Sequence, residues 1–494
     1  MNSPRKCKQC GRSDSRSDAK FCSECGSPFD SRNSEFHSRS NATSIHSESR
    51  STAQTDTTIA VQDIHPNVAQ NDLIKNFVPK NIGSSQPRRF RLPDKTSKEQ
   101  DFALDLPEDG FHLLLGGPGT GKSVIALIRA RRLAKKGSPH QFLAFNQLLV
   151  HASKNLDKNT SNNLDRAISA CTWVAWFRDR WRQLVGTQVP TLGNYFEIDW
   201  KTARAQLLAK FPLDAIIPQP RDRYLVIDEG QDMPADFYEI LFDIGYKNIF
   251  VIADFNQILH PAFNSNYPQL CDALSKTDRQ RFYASAISRT TFTENHVVQL
   301  TYNHRNSYPV ARLARTFYVE APQNVPPDLP PETRTANLPE IVKYDGNSDQ
   351  AFMRVVNRIL LTSNSDPTRL IGVLCPDNAV RHHYKHALDN MALNLGNGKP
   401  RIDSYANDDG TFPNFAFGGI ILLNAQACKG LEFDYVIIAD IDQFHYWPEI
   451  MEKQQMLFYV MVSRAISRVI MIQNTANPCP ISAILPTDQN ILRG

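Results

Sequence analysis

The sequence predicts an α/β fold built on parallel sheets, and three observations predict it. From Phe90 onward short apolar runs alternate with helix-length amphipathic segments, the pattern of strands and crossover helices in parallel layers. The glycine-rich segment GGPGTGKS, Gly116 to Ser123, stands between one such run, FHLLL, and the helical pattern VIALIRARRLAKK. The 494 residues, 41% hydrophobic and 21% charged, are near the globular mean and long enough for two or three domains.

The amino-terminal segment differs from the rest. Cys7 and Cys10, then Cys22 and Cys25, form two C-x2-C pairs, each followed by a glycine, and four thiolates so spaced can surround one tetrahedral ion. The pattern over residues 1–30 resembles a zinc ribbon, with redox use the lesser reading because neither pair opens a helix in a βαβ setting. Its role stays open between a structural knob, a protein-docking module and a nucleic-acid reader. Residues 31–64 are dominated by Ser and Thr and read as a disordered linker that cannot bury apolar surface. From about Asp63 to Arg91 mixed patterning returns without a placeable element.

Strands are expected at Phe111–Leu115, Tyr224–Ile227, Ile249–Ile252, Val297–Leu300, Leu370–Leu374, Ile420–Leu423, Tyr435–Ala439 and Val469–Ile472. Residues 321–340 carry six prolines and read as a surface connection. Lys plus Arg exceed Asp plus Glu by only four, so net charge does not mark a polyanion binder. No apolar run reaches 18 residues and the first residues lack a signal-peptide core; with nine cysteines, five of them scattered, the expectation is a cytoplasmic protein without a membrane partner.

GGPGTGKS matches G-x-x-x-x-G-K-[ST] in the strand–loop–helix setting that the pattern needs. Backbone N–H groups of Gly116, Gly117, Pro118, Gly119, Thr120 and Gly121 (the proline lending only its turn) would curl round phosphate oxygens at a helix amino terminus. Lys122 would reach the β and γ phosphates, and Ser123 would offer its hydroxyl to Mg2+. Downstream, the strand YLVI runs into Asp228-Glu229-Gly230-Gln231-Asp232. Carboxylates at a strand's carboxyl end face the ligand crevice of such sheets. Asp228 would hold Mg2+ directly or through water, and Glu229 would orient or deprotonate the attacking water.

DEGQD resembles a box of UvrD/Rep-type superfamily 1 helicases, and further segments match in that family's order. Gln100 with Ala103 resembles the glutamine motif that reads adenine. FLAFNQLL (Phe142–Leu149), Thr172-Trp173, VIADFNQ (Val251–Gln257), LTYNHRN (Leu300–Asn306), ACKGLEFDYVII (Ala427–Ile438) and LFYVMVSRA (Leu457–Ala465) resemble motifs Ia, Ib, III, IV, V and VI. The resemblance, over about residues 95–475, implies two RecA-like P-loop domains, at 65–295 and 296–494, with ATP between them. It implies that Gln257 senses the γ-phosphate, that Arg305 and Arg464 neutralise transition-state charge, that Glu432 touches the ribose and that His304 stands where an aromatic stacks on adenine.

The chain also departs from that family. After Gln257 it reads ILHPAFNSN rather than an aromatic and a strand-gripping turn, and Asn424 and Gln426 replace a threonine and a histidine that touch nucleic acid. Only about 120 residues separate Arg305 from Lys429, too few for the large insertion domain of processive relatives. Trp173, Trp176, Phe177 and Trp181, interleaved with Arg178, Arg180 and Arg182, fit either base stacking or a helix packed in a core. The implied function is an ATP-hydrolysing translocase or helicase on single-stranded nucleic acid, DNA in preference to RNA, with ATP, Mg2+ and Zn2+ as cofactors. The alternative is a regulatory or sensing ATPase of a DNA-repair or phage-defence complex, meeting a protein partner through the ribbon.

Overall fold

In a computed structural model the chain divides into two units, Met1–Gln86 and Pro87–Gly494. Of the first, the described part is a short antiparallel ladder, β1 (Arg5–Lys6) with β2 (Ser13–Asp14). Apart from that ladder the structure describes residues 96–494, without 146–149, 151–167, 194–196, 216, 219–221, 259–263, 276–296, 321–324, 393–397, 406–412, 416 and 446–450. The four ribbon cysteines, the Ser/Thr linker and the lead-in therefore lie outside the described residues.

The larger unit holds two six-stranded sheets, each parallel throughout. The first contains β3 (Phe111–Gly116), β4 (His140–Ala144), β5 (Ala170–Thr172), β6 (Tyr224–Ile227), β7 (Asn248–Ala253) and β8 (Val297–Leu300), in the order β5-β4-β6-β7-β3-β8. The second contains β9 (Glu340–Tyr344), β10 (Leu370–Cys375), β11 (Ile402–Tyr405), β12 (Gly419–Asn424), β13 (Phe433–Ile438) and β14 (Ala465–Asn474), in the order β11-β12-β10-β13-β14-β9. Apolar clusters cover both faces of each sheet, which is why the central strands are unbroken apolar runs rather than alternating ones.

Helices are placed by local signals. α1 (Lys98–Leu104) opens with a capping box between Ser97 and Gln100. α2 (Lys122–Lys136) starts from the left-handed Gly121 and stops at the left-handed Gly137, with Lys135 and Lys136 on its carboxyl end. α3 (Trp173–Val185) ends at Gly186, and α4 (Trp200–Lys210) and α5 (Ala235–Asp243) follow it in the first half. In the second half α6 (Tyr308–Thr316) and α7 (Met451–Ser463) pack on one face of the sheet, and α8 (Asp349–Ser365) and α9 (Asn378–Asn390) on the other.

Four readings of the sequence change. All eight expected strands form, but β4, β5, β9 and β11 add to them; three of these are sheet-edge strands with polar residues breaking the apolar run. β8 pairs with β3, so the first sheet extends past the expected 295/296 boundary and ends at Leu300. The proline-rich stretch is more than a surface connection, because a Cβ on Gly117 would lie 2.1 Å from Pro327 Cγ: the strap packs directly on the glycine-rich loop. The Trp-bearing helix α3 is core. Trp181 is 2% exposed, and Trp173, Trp176 and Phe177 meet the Phe237 ring at 5.1, 6.2 and 5.8 Å between centroids. Burial on this scale removes those rings from any stacking platform.

Candidate nucleotide site between the two sheets

The site is built at the carboxyl ends of β3, β6 and β7, where the loops of a parallel sheet converge. The loop from Gly116 to Ser123 turns through two left-handed glycines. Gly119 has φ 78° and passes so near the second half of the chain that a Cβ there would meet Asn303 Oδ1 at 2.4 Å; Gly121 has φ 90° and lies against the Gln100 amide. Thr120 Oγ1 and Lys122 Nζ both donate to the Gly117 carbonyl, at 2.8 and 2.9 Å, and Lys122 Nζ is 3.8 Å from Asp254. Burial pulls the lysine's pKa down, against the pull of Asp254, Glu229 and Asp228.

At the end of β6, Ser123 Oγ donates to Asp228 Oδ1 (3.3 Å), which also accepts from the Glu229 backbone N–H (2.9 Å). Asp228 Oδ2 is buried and has no hydrogen-bond partner among the described residues. Burial first, and Glu229 second, push the Asp228 carboxyl up to about 7. A hydroxyl and a carboxylate presenting hard oxygens at a phosphate loop suit Mg2+, which takes few protein ligands beside phosphate and water. No group of three or more His, Cys, Asp or Glu residues suited to a metal occurs among the described residues.

Glu229 sits at φ 54°, a left-handed and strained setting for a residue with a side chain. Burial opposes its ionisation, but Lys429, Arg464 and Lys122 outweigh burial and hold it below the usual carboxylate range. Gln231 Nε2 donates to it at 2.7 Å, and Gln231 Oε1 accepts from the Asp254 N–H at 3.0 Å. Asp254 in turn accepts from Gln257 Nε2 at 2.7 Å.

Two cations from the second half, Lys429 and Arg464, close over these groups, and a third, Arg305, stands against Gly119 of the phosphate loop. Arg464, just after α7, donates to Gln257 Oε1. Lys429, only 4% exposed, lies 2.7 Å from the Asp232 carboxylate and 3.7 Å from Glu229, and donates to the Gln257 carbonyl at 2.6 Å. Arg305 pairs with Glu432, while its Nε and Nη1 are buried with no hydrogen-bond partner among the described residues. Asn256 and Val319 exchange hydrogen bonds of 2.9 and 2.8 Å, tying the segment after β7 to the strap region.

At the other end, Glu99 on α1 accepts from Thr301 N (3.1 Å), Thr301 Oγ1 (2.9 Å) and Tyr302 N (3.3 Å), and the His304 N–H donates to the Gly119 carbonyl at 2.8 Å. The Tyr302 and His304 rings lie 4.5 Å apart at their centroids, both open to solvent. Burial and then Arg334 lower the His304 pKa, against the pull of Glu99.

Residues 100–263 match a family model described as an AAA domain. Among solved structures, the Pif1 helicase from Candida albicans aligns at 12% identity over 79% of this chain and 97% of that one, with a TM-score of 0.42. The C-terminal domain of a possible DNA helicase from Lactobacillus plantarum WCFS1 aligns at 18% identity over 38% of this chain and 98% of that one, with a TM-score of 0.26. No curated protein sequence matches the chain.

Of the residues singled out from sequence, Lys122, Ser123, Asp228, Glu229, Gln257 and Arg464 meet in one buried lattice, and Arg305 and Glu432 pair beside it. The nucleic-acid positions do not gather. Thr172-Trp173 leads into core, Asn424 is tied to Asn378 at 2.8 Å, Asn264 donates to Asp232 at 3.1 Å, Gln426 is exposed, and 146–149 and 259–263 are outside the described residues. Lys429, Asp232, Asp254, Glu99 and Tyr302 were without assigned roles. Lys429 stood within the quoted ACKGLEF and Asp232 within DEGQD, but nothing local in the sequence pairs them.

Proposed function

We propose that this protein is a nucleoside triphosphatase that couples hydrolysis to movement on single-stranded nucleic acid, DNA in preference to RNA, as a compact translocase of the UvrD/Rep type. What carries the reading is the meeting of three cations from the second sheet's half with the phosphate loop and Glu229 of the first. Bound triphosphate and Mg2+ would supply a good leaving group and a Lewis acid. The Gly116–Gly121 backbone and Lys122 would hold the β and γ phosphates, and Ser123 and Asp228 would hold the ion. Glu229, kept ionised by Lys429, orients or deprotonates the water. Gln257 positions Arg464, and Arg305 exchanges Glu432 for phosphate oxygens; each arginine offsets charge that grows in the transition state. Closing the two halves places those arginines and opening withdraws them, which is the coupling a motor needs.

Burial of the Trp173–Trp181 rings and the Asn424–Asn378 tie leave a sparse grip on a strand, so the protein moves or remodels weakly and unwinds poorly by itself. The same observations favour a second reading, a regulatory triphosphatase that gates a protein partner. Hydrolysis measured alone and with single-stranded DNA, single-stranded RNA or duplex separates them: stimulation by single strands supports the motor, and slow turnover indifferent to nucleic acid supports the regulator. We further propose one Zn2+ on Cys7, Cys10, Cys22 and Cys25, checked by metal analysis of the purified chain.

A further inference from the structure

The amide of Gln100, which by resemblance would read adenine, is already committed at both ends. Its Oε1 accepts from the Ser97 backbone N–H at 3.1 Å, the return half of the capping box that starts α1, and its Nε2 donates to the Thr120 carbonyl at 3.0 Å. The side chain is 5% exposed, and its Nε2 packs so closely on the phosphate loop that a Cβ on Gly121 would come within 2.2 Å. Turning this amide toward a base would undo a helix cap and strip a buried carbonyl of its donor.

By the resemblance the base lies against His304, and the Tyr302 ring stands beside that side chain. Tyr302 is 38% exposed and His304 is exposed beside it; the Glu99 carboxylate and the Gly119 carbonyl fix the backbone that carries them. Aromatic faces stack on any base and favour the larger ring systems, but they carry no donor–acceptor pattern. Sites that hydrogen-bond a substrate group reject analogues lacking it by about 10⁴–10⁵, whereas apolar contact discriminates by only about 10–200-fold.

We propose that Gln100 is a positioning residue for the phosphate loop rather than a base reader, and that the site accepts purine nucleoside triphosphates as a class, GTP as well as ATP. The inference rests on the triphosphatase reading above and deepens it. Binding energy is then concentrated in the triphosphate, with the purine held by stacking on the Tyr302–His304 pair.

The test is steady-state hydrolysis of ATP, GTP, CTP and UTP by the full chain, with inorganic tripolyphosphate as a base-free competitor. The proposal expects kcat/KM for ATP and GTP within about tenfold of each other, with both pyrimidine nucleotides poorer. ATP preferred over GTP by more than about 100-fold overturns it. In Gln100→Met, KM should rise equally for ATP and GTP and tripolyphosphate should inhibit less well; a tenfold change in the ATP:GTP ratio, with tripolyphosphate inhibition intact, would make Gln100 a reader after all. His304→Ala should weaken nucleotides and leave tripolyphosphate inhibition unchanged. If Gln100→Met fails to fold, the wild-type ratio still decides. If none of the four nucleotides is hydrolysed, the triphosphatase reading fails on its own, and the relative affinities of ATP and GTP, measured by calorimetry, still decide base preference.

Discussion

The phosphate end and the base end of the cleft are built on opposite plans. At the phosphate end Asp228, Glu229, Asp232 and Asp254 are buried against Lys122, Lys429 and Arg464, and most polar atoms are satisfied by a partner in the chain. At the base end Tyr302 and His304 face solvent, and the Gln100 amide is turned into the protein. Buried charge demands exact partners and is costly to break, whereas exposed rings tolerate change. On the proposed reading, the contrast means a cleft specified for what is done to the triphosphate and only loosely for which base it carries.

The largest effects should fall at the phosphate end. Lys122→Ala and Glu229→Gln should each lower turnover by at least about 10³-fold, but Glu229→Gln should retain nucleotide because its amide still occupies the site, whereas Lys122→Ala should lose affinity as well. Parallel turnover and equilibrium-binding measurements check this; wild-type turnover in Glu229→Gln would break the assignment. Lys429→Met comes next. It leaves Asp232 and Glu229 buried without their nearest cation, and removal of one partner from a buried pair costs about 3–5 kcal/mol, so denaturant unfolding should show a loss of that order together with slower turnover.

The base end should respond less. His304→Ala should raise KM for ATP by about tenfold, an aromatic contact being worth about 0.5–1.5 kcal/mol, with kcat little changed. The smallest effect tests a buried strand-end carboxylate held by tyrosines. Asp440, at φ 43° after β13, accepts from Tyr384 (2.7 Å) and Tyr344 (3.0 Å), and burial pushes its carboxyl up to about 6. A carboxyl raised in the folded state makes the fold bind the extra proton between its ordinary pKa, 3.8, and about 6. Stability from this group therefore falls as pH climbs through that window and stays lower above it. Asp440→Asn keeps an acceptor and suits the left-handed backbone, so it should raise Tm at pH 8 by a few degrees, about 1–2 kcal/mol, and give no gain at pH 4.

The same division governs what could be read from sequence. GGPGTGKS and DEGQD were legible because phosphate and carboxylate chemistry packs several requirements into neighbouring residues on one strand–loop junction. The Lys429–Asp232 pair was not, since it joins positions that only the folding of two sheets brings together. The Trp173–Trp181 segment was undecidable, because helical spacing of aromatics is the same for a core face and a stacking face, and only the packing of Phe237 against it settles which. Edge strands such as Ile402–Tyr405 escaped because Asp403 and Ser404 interrupt the apolar run. The prolines at 326 and 327 excluded regular structure correctly, but their contact with Gly117 depends on where the strap returns across the loop.

The central claim, that arginines from the second half complete a triphosphate site in the first, is tested most directly by Arg464→Ala, with nucleotide affinity and single-turnover hydrolysis measured on the same preparation. A residue acting on developing charge should lower the hydrolysis rate by about 10³-fold while affinity changes by less than about tenfold. Equal losses of affinity and rate would reduce Arg464 to a ground-state contact, and an unchanged rate would contradict the account outright.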